Sequence, residues 1–248
     1  MNAYEIDPWI AARASLARIL WLQGFPDGAK TVAEQCIAEA LQVGHEQTTC
    51  WAIAFNICPV AIWRGEFGHA ETLVGLLLER SQGVFEHYHE WGLLYRRYFD
   101  KTKSALGPVG AVSHSDVKYE IPAQADLFAT FDGGFAGPDS LTRAQADDEI
   151  WCAPELLRAW ACRLVSSGEK TDQNAAEATL LRSLGLAKRH EAKAWELRTA
   201  TSLGTLYLRS GRSGEARAVL ESALEQFKQG HDTRDFQAAI NVLSAPSG

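Results

Sequence analysis

The sequence predicts an all-α protein built from stacked pairs of antiparallel helices, and three observations predict it. First, apolar residues recur with helical spacing in nearly every segment that has a clear period, and no apolar–polar alternation is long enough for a sheet. Second, a glycine is followed five residues later by an alanine in three places, and in a fourth place after an insertion. Third, a small residue lies seven positions before each of these glycines, and a large apolar residue eight positions before it. A repeated helix–turn–helix unit requires this combination.

Each of these positions has a physical role in a helical hairpin. The axes of two packed helices approach to about 8–10 Å, so small residues are expected where they cross. The glycine takes a positive φ in the turn, and the large apolar residue fills the groove toward the next helix. The glycine–alanine partners are Gly24 and Ala29, Gly65 and Ala70, Gly168 and Ala178 across the insertion, and Gly211 and Ala216. The small residues are Ala17, Cys58, Ala161 and Gly204, and the large ones are Leu16, Ile57, Trp160 and Leu203.

Residues 1–106 are predicted to form the N-terminal repeats. The predicted helices cover residues 9–22, 28–43, 46–64, 67–81 and 84–105. Pro59 lies inside the third of them, where it removes a backbone hydrogen bond at a cost of about 3 kcal/mol in isolation. Either packing compensates for this loss or the helix breaks near Cys58.

Residues 107–153 are rich in glycine and proline and are predicted to form an irregular central insert. Because a structureless loop of this length is rare in a compact domain, we expect one degenerate helical unit there, with short helical pieces over 123–131 and 141–146. Residues 154–248 are predicted to form the C-terminal repeats, continuing one solenoid. Their predicted helices cover residues 154–167, 173–189, 191–209, 213–228 and 233–243.

Charge and composition exclude several classes of protein. The 248 residues carry a formal net charge of −7, which disfavours general nucleic-acid binding because phosphate neutralisation needs a basic face. No apolar run approaches the roughly 20 residues that span a bilayer. The five cysteines contain no C-x-x-C pair, which favours a reduced, cytoplasmic protein.

The turn spacing resembles that of the tetratricopeptide repeat. The usual period of that repeat is about 34 residues, and the helices predicted here are longer than such a period allows. The last ninety residues also resemble the C-terminal repeat region of bacterial adenylate and guanylate cyclases and of ATPase/winged-helix transcriptional regulators. The resemblance is carried by Trp195, Glu196, Leu197 and Arg198, and by the ending with Phe227, Gly230, Asp232, Thr233 and Asp235. It is weaker over residues 9–106 and absent over 107–153, and the chain contains no cyclase, ATPase or DNA-binding part. The resemblance therefore implies a regulatory or protein-binding role.

In tetratricopeptide-like stacks the first helix of each pair lines the concave face. Counting back from the turn glycines predicts which residues are exposed on this inner face. They are Glu155 and the candidate partner-binding residues Arg18, Trp21, Arg158, Arg198, Thr201, Thr205 and Arg209. A stripe of Arg158, Arg198 and Arg209 would suit an acidic peptide or a carboxylate terminus, because guanidinium binds carboxylate in bidentate fashion. The alternative is that Arg198 pairs with a glutamate on the next helix and only braces the stack. Trp21 and Trp63 are further candidates for lining a groove.

Two other clusters are weaker candidates. Glu86, His87, His89 and Glu90 have metal-binding residue types, but di-metal bundles need such a motif from two helices. Residues 113–116 (SHSD) contain the residue types of a catalytic triad, but working triads bring distant residues together. We therefore predict no catalytic, cofactor or metal site, and a role as a non-catalytic protein- or ligand-binding module in bacterial signalling or transcriptional regulation. Two alternatives are the repeat part of a cyclase or ATP-dependent regulator that acts with a separate catalytic part, and an enzyme with a pocket under the 107–153 insert.

Overall fold

The computed structural model describes residues 6–105, 122–146, 149–167 and 170–245. Within these ranges every regular element is helical and no strand is present. The chain divides into two compact units, each described by itself below. Unit 1 comprises Met1–Trp21 and Phe25–Ser113, and unit 2 comprises Leu22–Gly24 and His114–Gly248.

The helices of unit 1 follow the predicted hairpin order closely. They are α1 (Pro8–Leu22), α2 (Pro26–Val43), α3 (Glu46–Ala52), a π-helical turn (Ile53–Ile57), α4 (Cys58–Arg64), α5 (Phe67–Ser81) and α6 (Glu86–Ala105). The segments α3, the π turn and α4 run on without interruption, so together they form the predicted helix over 46–64. The start of α1 is capped by Asp7, whose carboxylate accepts the amide N–H groups of Trp9 at 2.9 Å and Ile10 at 3.0 Å.

The π turn explains how the helix passes Pro59 without breaking. The amide of Cys58 donates to the carbonyl of Ile53, five residues back instead of four. The next amide in that register would belong to Pro59, which has none, so the carbonyl of Ala54 loses its helical partner. The hydroxyl of Tyr95 on α6 donates to this carbonyl at 2.6 Å. Packing therefore compensates for the proline, which was the first of the two predicted outcomes.

The predicted turn and crossing residues are confirmed at most positions. Three of the four turn glycines have a positive φ, namely Gly24 at 82°, Gly65 at 84° and Gly211 at 73°. Gly168 lies outside the described residues. The crossing positions are buried at Ala17, Cys58, Ala161, Gly204, Ala29, Ala70 and Ala216. At Gly204 an added Cβ would lie 2.8 Å from the Cδ1 of Leu220, so a larger residue would push α11 and α12 apart.

Two of the predicted packing positions are wrong. Ala178 is exposed, and Ala176 is the buried alanine of that helix, because the insertion after residue 168 changes which face of the helix meets the core. Leu16 is 46% exposed, so it does not fill a groove between helices.

Unit 2 contains the insert and the C-terminal repeats. Its helices are α7 (Pro122–Ala129), α8 (Pro138–Ala146), α9 (Ala153–Ser167), α10 (Lys170–Arg189), α11 (Lys193–Arg209), α12 (Ser213–Leu224) and α13 (Arg234–Leu243), with a short 3-10 turn at Gly133–Phe135. The two short helical pieces expected within the insert are thus confirmed as α7 and α8. Helix α9 packs against α10 and α11, and α11 packs against α12 and α13.

Within the described ranges, no helix combines the length and apolar character needed to cross a membrane.

Candidate functional site

A cluster of charged side chains lies in unit 2, where α9, α11 and α13 meet. A cavity of about 190 Å³ opens between these three helices. Its lining residues are Phe131, Arg158, Arg198, Thr201, Ser202, Arg234, Asp235 and Ala238. Three of the predicted partner-binding residues, Arg158, Arg198 and Thr201, line this cavity.

Glu155 on α9 is the buried centre of the site. It was predicted to be exposed, but its relative exposure is 0%. Its two carboxylate oxygens accept from Arg158, from Nε and Nη2, both at 2.7 Å. One of these oxygens also accepts from Nη1 of Arg198 at 3.0 Å. A fully buried carboxylate without such donors would carry a large desolvation penalty, which the hydrogen bonds from the two arginines offset.

Arg198 connects Glu155 to the last helix. Its Nε donates to Oδ2 of Asp235 on α13 at 2.6 Å, and its Nη1 donates to the carbonyl oxygen of Thr130 at 2.8 Å. Its guanidinium also lies 5.1 Å from the ring centre of Trp195. Burial disfavours the charged form of Arg198, but Asp235 and Glu155 outweigh this and raise its pKa above the ordinary value. The side chain is therefore a charged brace between α9 and α13. The alternative interpretation expected a glutamate on the next helix, whereas Glu155 lies on α9 and the partner on α13 is an aspartate.

Arg158 is likewise occupied within the protein. Besides the two bonds to Glu155, its Nη1 donates to Oγ of Ser202 at 3.3 Å and approaches Sγ of Cys162 at 3.6 Å. Burial again disfavours the charged form, and the attraction and hydrogen bonds of Glu155 again prevail, so the pKa of Arg158 is raised. Arg158 and Arg198 thus meet through one carboxylate instead of forming an open stripe.

Arg234 supplies the guanidinium that the sequence analysis did not identify. It lines the cavity from the first turn of α13, its side chain is exposed, and no carboxylate among the described residues pairs with it. The site brings together the guanidiniums of Arg158, Arg198 and Arg234 with the carboxylates of Glu155 and Asp235, so these five groups carry one net positive charge. Arg234 does not lie at any of the counted positions before Gly24, Gly65, Gly168 or Gly211.

The hydroxyl groups beside the cavity are arranged as acceptors. Thr201 donates its hydroxyl to the carbonyl oxygen of Leu197, and Thr205 donates to that of Thr201, each at 2.8 Å. Since their protons are used within α11, their outward lone pairs can accept from a bound molecule. Arg209, one turn beyond Thr205, is exposed and has no ion pair with the described residues. It lies about 16 Å along α11 from Arg198, so it extends the polar face but does not join the cluster.

The two predicted site residues in unit 1 occupy other surroundings. Trp21 is only 3% exposed, and its ring stacks on that of Trp63 at 4.5 Å between centroids. The expectation that these two rings line a groove is therefore wrong, because each covers the other in the core. Arg18 is half-buried on α1.

The weaker clusters do not form a site in the described part of the chain. No group of three or more His, Cys, Asp or Glu side chains there could hold a metal ion. His89 instead lies 3.3 Å from the hydroxyl of Ser81, and the ring of His87 lies beside that of Phe55 at 6.2 Å. Residues 113–116 lie outside the described residues.

Two segments of the chain, residues 10–35 and 197–222, match the family model described as tetratricopeptide repeat. They cover α1 with the start of α2, and α11 with most of α12. The comparison with curated proteins gave no match, and neither did the comparison with solved structures. The predicted all-α, tetratricopeptide-like arrangement of helix pairs is confirmed. Repeats of this type generally mediate binding between proteins.

Proposed function

We propose that the face formed by α9, α11 and α13 is a non-catalytic binding surface for an acidic segment of another protein. The observation that carries this proposal is Arg234, an exposed guanidinium lining a cavity whose other charged groups, two arginines and two carboxylates, balance one another. Its five N–H donors match the geometry of a carboxylate. The hydroxyl oxygens of Thr201 and Thr205 would accept backbone N–H groups of the same segment.

The size of the cavity supports a peptide over a cofactor. Pockets for small molecules usually measure about 300–1,000 Å³ and are mainly apolar, whereas this cavity has about 190 Å³ and a charged lining. That volume suits one anchored side chain with the rest of the segment lying outside. Arg158 and Arg198 are paired with Glu155 and Asp235, while Arg234 and Arg209 remain available for direct contacts.

We further propose that this binding serves bacterial signalling or transcriptional regulation. The support is the resemblance of residues 195–198 and 227–235 to the repeat regions of cyclases and ATPase-containing regulators. Both of these segments lie at the same site, since Arg198 pairs with Asp235 at 2.6 Å and Phe227 contacts Phe236 at 6.2 Å between ring centres. The alternative that the chain is the repeat part of such a regulator, acting with a separate catalytic part, rests on the same resemblance.

The binding proposal can be tested with fluorescently labelled peptide pools. The full chain is titrated against random octapeptides enriched in Asp and Glu, and against a pool enriched in Lys and Arg, with anisotropy as the readout. We expect the acidic pool to bind and its affinity to fall with added salt. The variant Arg234→Glu should weaken this binding at least about tenfold, because it replaces the free guanidinium with a like charge.

The matched control is Arg217→Glu. Arg217 is also an exposed arginine of unit 2, but it lies on α12 and pairs with Glu221 at 3.0 Å. The affinity of the Arg217→Glu variant for the acidic pool should stay within about twofold of that of the parent protein, since exposed ion pairs contribute little to stability. Equal binding of both pools, or equal losses in the two variants, would refute the acidic-segment proposal.

A further inference from the structure

The exposed side of α1 in unit 1 consists only of apolar residues. The exposed positions of this helix are Pro8, Trp9, Ala12, Leu16 and Ile19. Trp9 is 68% exposed, Ile19 47% and Leu16 46%. The only charged residues of the helix are Arg13 and Arg18, both half-buried. Water therefore meets an uninterrupted apolar stripe that faces away from the core residues of α1.

Other helices of the chain have a different exposed side. On α12 the exposed residues include Glu215, Arg217 and Glu221, as expected for a surface that stays in water. Contiguous exposed apolar patches usually mark interaction sites, and α1 carries one.

The stripe has no charge that would select an unlike partner. Arg13, at its edge, forms a hydrogen-bonded ion pair with Glu39 on α2, and its guanidinium lies 5.7 Å from the ring centre of Trp9. Helices that bind membrane surfaces carry lysine and arginine on a polar side, whereas the side of α1 opposite the stripe is buried in unit 1. The stripe thus calls for a neutral, apolar helix as its partner.

The spacing of the stripe makes it complementary to itself. Trp9, Ala12, Leu16 and Ile19 are separated by three, four and three residues, so the set is symmetric about position 14. When two such helices pack antiparallel about a two-fold axis, Ala12 of one lies opposite Leu16 of the other, and Trp9 lies opposite Ile19. Large residues then meet smaller ones, and no like charges face each other.

We propose that two copies of this chain associate through these α1 faces, with the helices antiparallel and Ala12 opposite Leu16. The four side chains span about 15 Å of helix and bury less than the roughly 800 Å² per partner of a standard interface. The dimer is therefore weak and concentration-dependent. It does not involve the acidic-segment site in unit 2, so the two proposals can fail separately.

Sedimentation velocity of the full chain from about 1 to about 500 µM tests the proposal. We expect the sedimentation coefficient to rise from that of a monomer toward that of a dimer within this range. Leu16→Glu should move the association at least about tenfold higher in concentration, because it puts a carboxylate into an apolar contact. The matched control is Leu181→Glu on α10, where the parent leucine is similarly exposed at 49%, and it should associate like the parent protein.

A mixing experiment tests the register. Ala12→Lys and Leu16→Glu chains, each weakened alone, should associate more tightly as an equimolar mixture, because the lysine of one chain then faces the glutamate of the other. Circular dichroism verifies that both variants stay folded. A parent protein that remains monomeric at the highest concentration would overturn the proposal, as would identical behaviour of the Leu16 and Leu181 variants. Failure of the mixture to associate better than either variant would overturn the register.

Discussion

Units 1 and 2 are both built from helix hairpins, and both contain ring contacts and ion pairs, but the buried carboxylates among the described residues lie in unit 2. In unit 1, Trp21 stacks on Trp63 at 4.5 Å and Phe55 lies edge-on to Trp91 at 4.8 Å. In unit 2, Arg198 joins the fully buried Glu155 on α9 to Asp235 on α13.

This difference shows which contacts fix the relative positions of the helices in a repeat protein. Ring contacts depend on area and tolerate many arrangements. A buried carboxylate needs donors at fixed distances, so it sets how α9, α11 and α13 lie relative to one another. The charged face is also where we propose a partner binds, and its geometry is fixed before the partner arrives.

The largest effect is expected from a substitution that breaks the charge network at its centre. Glu155→Gln keeps the side-chain shape but leaves Arg158 and Arg198 without the anion between them. We expect a loss of about 3–5 kcal/mol in the free energy of unfolding, as for other buried pairs that lose one partner. Urea denaturation followed by circular dichroism measures it. Glu215→Gln is the control because Glu215 is exposed, and a comparable loss in both variants would contradict the special role of burial.

A close helix crossing is encoded by the same sequence pattern in both units, and in unit 2 it lies at Gly204. Gly204→Ala should lower the free energy of unfolding by about 1–3 kcal/mol, because the new methyl group meets the buried Leu220 at 2.8 Å. Gly185→Ala, within α10, has open space at the Cβ position. It should instead stabilise the protein by about 1 kcal/mol through helix propensity. Thermal melts that move in the same direction would refute the crossing argument.

A smaller effect is expected from the hydroxyl that satisfies the π turn of unit 1. Tyr95→Phe keeps the buried ring but removes the donor to the carbonyl of Ala54, which then stays buried without that bond. We expect a loss of about 1–2 kcal/mol in the free energy of unfolding, and faster amide hydrogen exchange around residues 53–58. Unchanged exchange there would mean that the carbonyl finds another donor.

The smallest effect should come from an ion pair on the surface of unit 1. Lys103 and Glu71 approach to 2.8 Å, but their side chains are 62% and 38% exposed. Glu71→Gln should change the free energy of unfolding by no more than about 0.5 kcal/mol. A loss approaching that of Glu155→Gln would remove the distinction between buried and exposed charges on which the comparison of the units rests.

The hairpin positions could be predicted because they depend on contacts within one helix pair. A small residue at Ala17 or Cys58 and a turn glycine seven residues later are needed wherever two helices cross closely. The errors arise where contacts beyond one helix pair, or an insertion, decide the outcome. Leu16 was expected to fill the groove toward a neighbouring helix but is 46% exposed, and the insertion after residue 168 brings Ala176 to the core in place of Ala178.

The candidate site was predictable as a face but not as a network. Helical counting placed Arg158 and Arg198 on the same side of their repeats, and it offered pairing with a glutamate as an alternative. The partners of Arg198 lie 43 residues before it and 37 residues after it. Pairs so far apart in sequence leave no local pattern that could predict them. Arg234 does not lie at any of the positions counted back from the four turn glycines.

The tie between Arg198 and Asp235 has a consequence for how the chain responds to proteolysis. Helix α13 has only ten residues, too few to persist in water when detached. A cut in the turn near residues 228–232 would release it as an unfolded peptide and uncover Leu197 and Leu220 beneath it. The cleaved protein would then expose apolar side chains to water and precipitate. An intact α13 therefore keeps this apolar surface covered.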